Sequence, residues 1–399
     1  MPRLGDAFSL YGFSGTRNRA EVFVWHEFGS LNMLLLVRTR RHVGGLVECS
    51  SMIGTLGYGA NLLERLWRPP RKIAVLRASG LGDFVCAIPA LRALRFALPH
   101  AEIVMIGLPP LRDLVVRLPY VDRFAAFPGY PGIAGPPCEA RNVVGFLQRM
   151  QSERFDLALQ LQGAGVYANP FTLLLGAQLA AGFVTAGDDA GRLDAGLVWP
   201  EQGHEVRRVL ALLRFIGAEP RDEELVFPLS AEDRRIAAQK LSSLATPLIG
   251  IHPGSRDPRR RWPVEHFATV ARTLRQRHGG TVLVFGEMQE RDTALQLTEA
   301  IGAGAFSVAG TTPLAMLGAA IERLGLLLVN DSGPAQVAYA LGTPTVAIYR
   351  RGDKHRYGPP LAGPFEALEP NAGENAAAPS MVDVAETLAA AERLLMHAH

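Results

Sequence analysis

From Arg71 onward, short β-branched runs alternate with stretches of helical period, and that alternation admits few folds. Strands separated by helices lie parallel, because the crossover returns the chain to the same end of the sheet. Strands are expected at Ile73–Arg77, Ile103–Gly107, Asp156–Leu161, Leu248–His252, Val282–Gly286, Leu326–Asn330 and Thr345–Tyr349. They form two groups on either side of 228–247, where a charged helical segment, 231–244, ends in Ala-Thr-Pro just before a new strand. The chain is therefore read as two α/β domains, 71–245 and 246–378, followed by a helix within 379–399 that is open to packing back on the first domain. Residues 1–70 carry scattered glycines and no clean period, and are read as an extension.

A chain of 399 residues with 48% hydrophobic and 20% charged residues can bury two such cores. Net charge is only +3, and the one basic cluster is Arg256 to Arg261. That excludes an extended nucleic-acid footprint and leaves anionic small molecules as natural partners. Cys49, Cys86 and Cys138 show no paired spacing, so neither a disulfide framework nor a zinc knuckle is implied, and a cytoplasmic setting fits. The uncharged stretch 163–184 approaches a membrane span in length, but Asn169, Pro170, Thr172 and Gln178 interrupt it.

Three turns carry the chemistry. In the first, a buried strand runs into Ser79-Gly80-Leu81-Gly82-Asp83 and then a helix. Glycines let the backbone approach a ligand, and the free N–H groups of the helix start favour negative charge. Asp83 is there either a helix N-cap or a general base. A dinucleotide fingerprint fails, because Val85 stands at the third glycine position and Glu102 precedes the second strand rather than following it.

In the second turn, a strand ends in His252-Pro253-Gly254-Ser255 ahead of Arg259, Arg260 and Arg261. Gly254 and Ser255 suit phosphate, and the arginines offer forked donors to a diphosphate. The alternative is a solvated basic loop, with Trp262-Pro263 anchoring it by packing. In the third turn, Asp331-Ser332-Gly333-Pro334 closes a buried strand and opens a helix, a terminus suited to phosphate or a ribose hydroxyl. Thr312, in Gly310-Thr311-Thr312, is a simple cap or a further ligand contact.

Together with Asp156-Leu157-Ala158-Leu159-Gln160-Leu161-Gln162-Gly163, these collinear motifs resemble the ADP-heptose:lipopolysaccharide heptosyltransferases over roughly residues 72–359. The resemblance implies an α/β GT-B fold, two Rossmann-like domains with parallel sheets facing a central cleft, and inverting transfer. It implies Asp83 as the base, with Ser79, Gly80 and Gly82 in the acceptor-side loop. Ser255, Arg260, Ser332 and Gly333 would meet the donor phosphates, and Gly254, Thr312, Asp331 and Gln336 would complete the donor site. No cofactor is implied: the donor, ADP-heptose, is a substrate, and the acceptor is a glycan or glycolipid of the lipopolysaccharide core, reached with peripheral contact at the inner membrane.

Gln336 stands where the family usually has His, Arg350-Arg351-Gly352-Asp353 where it has Gly-Pro-Thr-Asp, and Glu287 where a second glycine follows Gly286. These departures bear on donor identity more than on fold. The sequence holds no Asp-x-Asp, so a metal clamp has no obvious ligands and metal independence is expected. A different nucleotide sugar, a sugar-nucleotide epimerase on the same fold, a non-catalytic nucleotide-sugar binder and, least supported, an oxidoreductase are the rivals. Nucleophile-elbow and zinc-protease patterns are absent.

Overall fold

A computed structural model describes residues 9–14, 19–28, 31–41, 47–51, 57–187, 193–370 and 381–397. The segment read as an extension holds a meander: β1 (Ser9–Ser14), β2 (Arg19–Phe28), β3 (Leu31–Arg41) and β4 (Val47–Ser51) pair antiparallel in sequence order. β5 (Gly57–Tyr58) then joins the first α/β sheet, so that domain takes up the chain well before Arg71. The backbone of Asn61 and Leu63 bonds the carbonyls of Phe215 and Ile216, and Leu62 is buried beside them.

That sheet contains β6 (Lys72–Arg77), β7 (Glu102–Gly107), β8 (Arg123–Ala126), β9 (Leu157–Gln160), β10 (Leu179–Val184) and β11 (Ala195–Val198) in the order β5-β11-β10-β9-β6-β7-β8. All pair parallel except β5. The second sheet contains β12 (Leu248–His252), β13 (Thr281–Val284), β14 (Ala305–Ser307), β15 (Leu326–Asn330), β16 (Thr345–Ile348) and β17 (Phe365–Leu368), ordered β14-β13-β12-β15-β16-β17 and parallel throughout. Helices cover both faces, so β6, β9, β12 and β15 are buried almost end to end, the burial that makes such strands continuous apolar runs.

Apart from β5, the chain in both sheets starts at a central strand, runs to one edge, and returns to the other side. The reversal falls between β6 and β9 in one sheet and between β12 and β15 in the other. Ligands of open parallel sheets bind beyond the strand ends at such reversals. All four motifs named above sit at the carboxyl ends of those four strands.

The charged helix between the domains is Ala231–Leu241, started by a reciprocal Ser230–Asp233 capping box. Asp233 also pairs with Arg117 of the first domain, and Arg234 pairs with Glu322 of the second at 2.9 Å. The last helix, Val384–His397, does not pack back on the first domain. Its buried Ala390, Ala391, Leu394 and Leu395 join the core formed by Ile249, Ile251, Phe267 and Leu274 of the second. The uncharged stretch 163–184 divides into a helix, Ala168–Leu174, and β10. Among the described residues no helix is long and apolar enough to cross a membrane.

Candidate active site

The two domains meet glycine to glycine. A Cβ on Gly82 would lie 3.3 Å from the Gly333 Cα and from the Gln336 Cγ, and one on Gly333 would lie 3.0 Å from the Leu81 Cβ. The N-termini of helices Leu81–Ala97 and Gly333–Leu341 therefore abut, and a side chain at either glycine would push the domains apart. Both ends present free N–H groups, which favours an anion between them. Arg256, which opens the basic cluster of the second domain but was given no contact from the sequence, has its Nη2 2.6 Å from where a Gly80 Cβ would be. Ser79 is buried with its hydroxyl unpartnered among the described residues.

The N-cap of helix Leu81–Ala97 is Gly80, so the cap alternative for Asp83 fails. Asp83 stands one turn in, and its carboxylate is turned to side chains. Tyr357 donates its hydroxyl to Oδ1 at 2.9 Å, and Arg77 Nη2 approaches the same oxygen at 3.4 Å. Arg77 ends β6 and is buried, also bonding the Asp83 and Leu161 carbonyls.

Behind this lies Glu205, fully buried, 2.8 Å from Arg77, 2.9 Å from Arg356 and 3.5 Å from Arg208. Burial opposes its ionisation, but Arg77 and Arg356 outweigh that and hold the carboxyl down at about 2. Burial likewise works against the charge of Arg77, yet Asp83 and Glu205 raise its pKa. Glu205, Arg77, Arg356 and Tyr357 were not singled out in the sequence. A charged residue ending an otherwise apolar buried strand was the one available signal, and it pointed only to Arg77.

On the second domain, His252 Nδ1 lies 3.3 Å from the Ser332 hydroxyl and its Nε2 lies 3.5 Å from Glu290. Burial raises the Glu290 pKa, but the bond to His252 prevails and lowers it. Gly254 lies against that carboxylate, where a Cβ would fall 1.9 Å from an oxygen. Ser255 donates to the Asp331 carbonyl at 3.3 Å. Ser332 is the N-cap of its helix but makes no side-chain cap bond, and Pro334 occupies the first turn.

The arginine cluster divides three ways. Arg259 pairs with Asp257 at the surface, and Arg261 donates to the Ser255 carbonyl at 2.9 Å. Arg260 Nη1 lies 3.0 Å from Asp331 Oδ2, a Coulombic contact without hydrogen-bond alignment. Burial raises the Asp331 pKa, and Arg260 only partly offsets it. Trp262 is buried, donating its backbone N–H to the Asn330 side chain and its indole N–H to the Val382 carbonyl at 3.0 Å, which fixes the root of the loop.

Two residues read as donor contacts are otherwise engaged. Thr312 turns its hydroxyl back to the Val308 carbonyl at 3.0 Å, while Pro313 caps the next helix. Gln336 is buried, donating to the Tyr357 carbonyl at 2.6 Å and accepting from the Cys86 thiol at 3.4 Å. Arg350 donates to the Arg261 carbonyl at 2.9 Å, so it braces the basic loop.

The two sheets thus face each other at their switch points, one presenting a carboxylate and the other a phosphate-suited turn beside an arginine. The model of glycosyltransferase family 9 (heptosyltransferase) matches residues 143–376. The chain belongs to that family. Its glycosyl-transfer chemistry thus rests on the match, which takes in β9, the basic loop and the Asp331 turn but not Asp83.

The lipopolysaccharide core heptosyltransferase OpsX of Haemophilus influenzae is 25% identical over 293 residues, 70% of this chain and 79% of that protein. Lipopolysaccharide heptosyltransferase 2 of Salmonella typhimurium is 27% identical over 298 residues, 70% of this chain and 82% of its own length. Among solved structures, a family 9 glycosyltransferase of Veillonella parvula superposes with a TM-score of 0.71 at 23% identity, covering 82% of this chain and 98% of that one. The ADP-heptose lipopolysaccharide heptosyltransferase II of Escherichia coli superposes at 0.65 and 23%, covering 82% and 99%. The family 9 fold here is GT-B.

Proposed function

We propose that this enzyme transfers a heptose from ADP-heptose, with inversion and without a metal, to a lipopolysaccharide-core acceptor at the inner leaflet. The observation that carries the reading is Asp83: a partly exposed carboxylate at the switch point of one sheet, directly across from the Ser332–Gly333 helix start of the other. The relatives' names supply the sugar and the acceptor class.

In this reading Asp83 takes the proton from the acceptor hydroxyl as that oxygen attacks the anomeric carbon. The bond from that carbon to the diphosphate oxygen breaks on the opposite face, and ADP leaves with the electron pair. Arg260, Ser255 and the N–H of Gly333 stabilise the departing charge. Asp331 holds Arg260 until a diphosphate replaces it as the partner. The positive charge these groups supply, and the lack of any Asp-x-Asp, support metal independence.

A melting panel of ADP, UDP, GDP, CMP and NAD, each with and without a chelator, tests the donor. A ligand at a hundred times its Kd stabilises the folded state by about 2.7 kcal/mol, a shift of several degrees in a protein of this size. ADP is expected to give that shift with chelator present, and Arg260→Ala to weaken ADP binding by about 1.5 to 3 kcal/mol. A preference for UDP or GDP would reassign the donor, and stabilisation by NAD alone would overturn the reading.

A further inference from the structure

We propose that Tyr357 is a positioning residue for Asp83, reaching across from the donor domain so that the base is aimed only when the two domains are closed. The inference rests on Asp83 being the base. Tyr357 and Arg77 both address Oδ1, at 2.9 and 3.4 Å, while Oδ2 takes no protein partner among the described residues. One carboxylate oxygen is thus fixed and the other is left for the acceptor hydroxyl. Burial pushes the Tyr357 pKa up, with Asp83 and Glu205 adding to it, so the phenol keeps its proton and donates.

The placement of Tyr357 is over-determined. It ends the short helix Lys354–Tyr357, whose N-cap Asp353 accepts from the Arg356 N–H. Its carbonyl receives the Gln336 amide and the Tyr349 hydroxyl, each at 2.6 Å. On either side, Arg356 pairs with Glu205 at 2.9 Å, and the Gly358 carbonyl bonds His204 Nε2 at 2.8 Å. This gives Gln336, which stands where the family usually has His, a task that does not involve the donor: it holds the loop that holds the base.

The other end of the same loop touches the donor turn. A Cβ on Gly352 would lie 2.4 Å from Asp331 Oδ2, the oxygen that faces Arg260. Residues 350–358 therefore connect the group that releases Arg260 to a diphosphate with the group that aims the base. A donor that draws Arg260 away from Asp331 acts on the segment that carries Tyr357.

The test is Tyr357→Phe, which removes one hydroxyl and keeps the ring. The charged and titratable groups facing Asp83 are Arg77 and Cys86 from its own domain and Arg356, Tyr357 and Asp331 from the other, with Glu205 behind Arg77 and Arg356. Turnover is expected to fall roughly tenfold or more, with ADP affinity within about twofold of the parent. In an Asp83→Asn background, adding Tyr357→Phe is expected to cost nothing further. Unchanged turnover, or an equal loss in both backgrounds, would overturn the inference while leaving Asp83 as the base. Near-full turnover in Asp83→Asn alone would overturn the base and the inference together.

Discussion

Asp83→Asn is expected to lower turnover by roughly a hundredfold or more while barely changing the melting temperature. The structure explains why the two readouts part. Gly80 caps the helix, so no cap is lost, and Asn keeps an oxygen that can accept the Tyr357 hydroxyl. Arg77 loses its 3.4 Å partner but retains Glu205 at 2.8 Å, so no buried charge is stranded. The Asp83 side chain is 26% exposed, and partly hydrated pairs contribute about 1 kcal/mol or less. Steady-state rates with saturating donor, set beside calorimetry on the same preparation, measure both. A large fall in melting temperature would mean that the carboxylate holds the fold, and unchanged turnover that it is not the base.

Glu205→Ala is expected to do the opposite, destabilising the protein by about 3 to 5 kcal/mol, the scale for removing one partner of a buried ion pair. The side chain is 1% exposed and balances Arg77, Arg208 and Arg356 at once, so its loss leaves two buried guanidinium groups and the partly exposed Arg356 with too little negative charge. Because Arg356 comes from the second domain, the contact between domains should loosen with it. The pH dependence has a definite sign. With its folded pKa depressed to about 2, Glu205 contributes stability that is fully present above about 4.5 and is lost as the pH falls toward 2. Melting curves of parent and variant should therefore lie far apart at neutral pH and converge in acid. A constant gap across that window would mean that the ionised carboxylate is not the source of the stability.

How far the sequence reaches is visible in individual elements. The seven expected strands form because both faces are buried, and burial on both faces writes a continuous apolar run of four to six residues. β8 was missed because Arg-Phe-Ala-Ala is half exposed, and β14 because it is three residues long. β10 was hidden in an uncharged stretch where alanine and glycine blur the period, and that same stretch had a membrane span's length. The amphipathic pattern of the last helix told that one face is buried but not against which domain. The antiparallel meander before Ser51 has no helical intervals to mark its strands.

Local chemistry made the glycine turns legible, because a tight turn between a strand and a helix demands its own residues. The network behind Asp83 could not be seen in the same way. Glu205 and Tyr357 lie 128 and 274 positions from the groups they bind, and no short pattern spans such intervals. The departures at Gln336 and Arg350 pointed to the donor site when read in isolation. In the structure both brace loops, Gln336 beneath Tyr357 and Arg350 beneath the arginine segment.

The most direct measurement is transfer itself: ADP release from ADP-heptose, followed with and without a lipopolysaccharide-core acceptor, in the presence of a chelator, with the anomeric configuration of the product determined. The account predicts release that requires the acceptor, persists under chelation and yields a glycoside of inverted configuration. Transfer from a different nucleotide sugar alone, retention of configuration, or loss of transfer on chelation would contradict it.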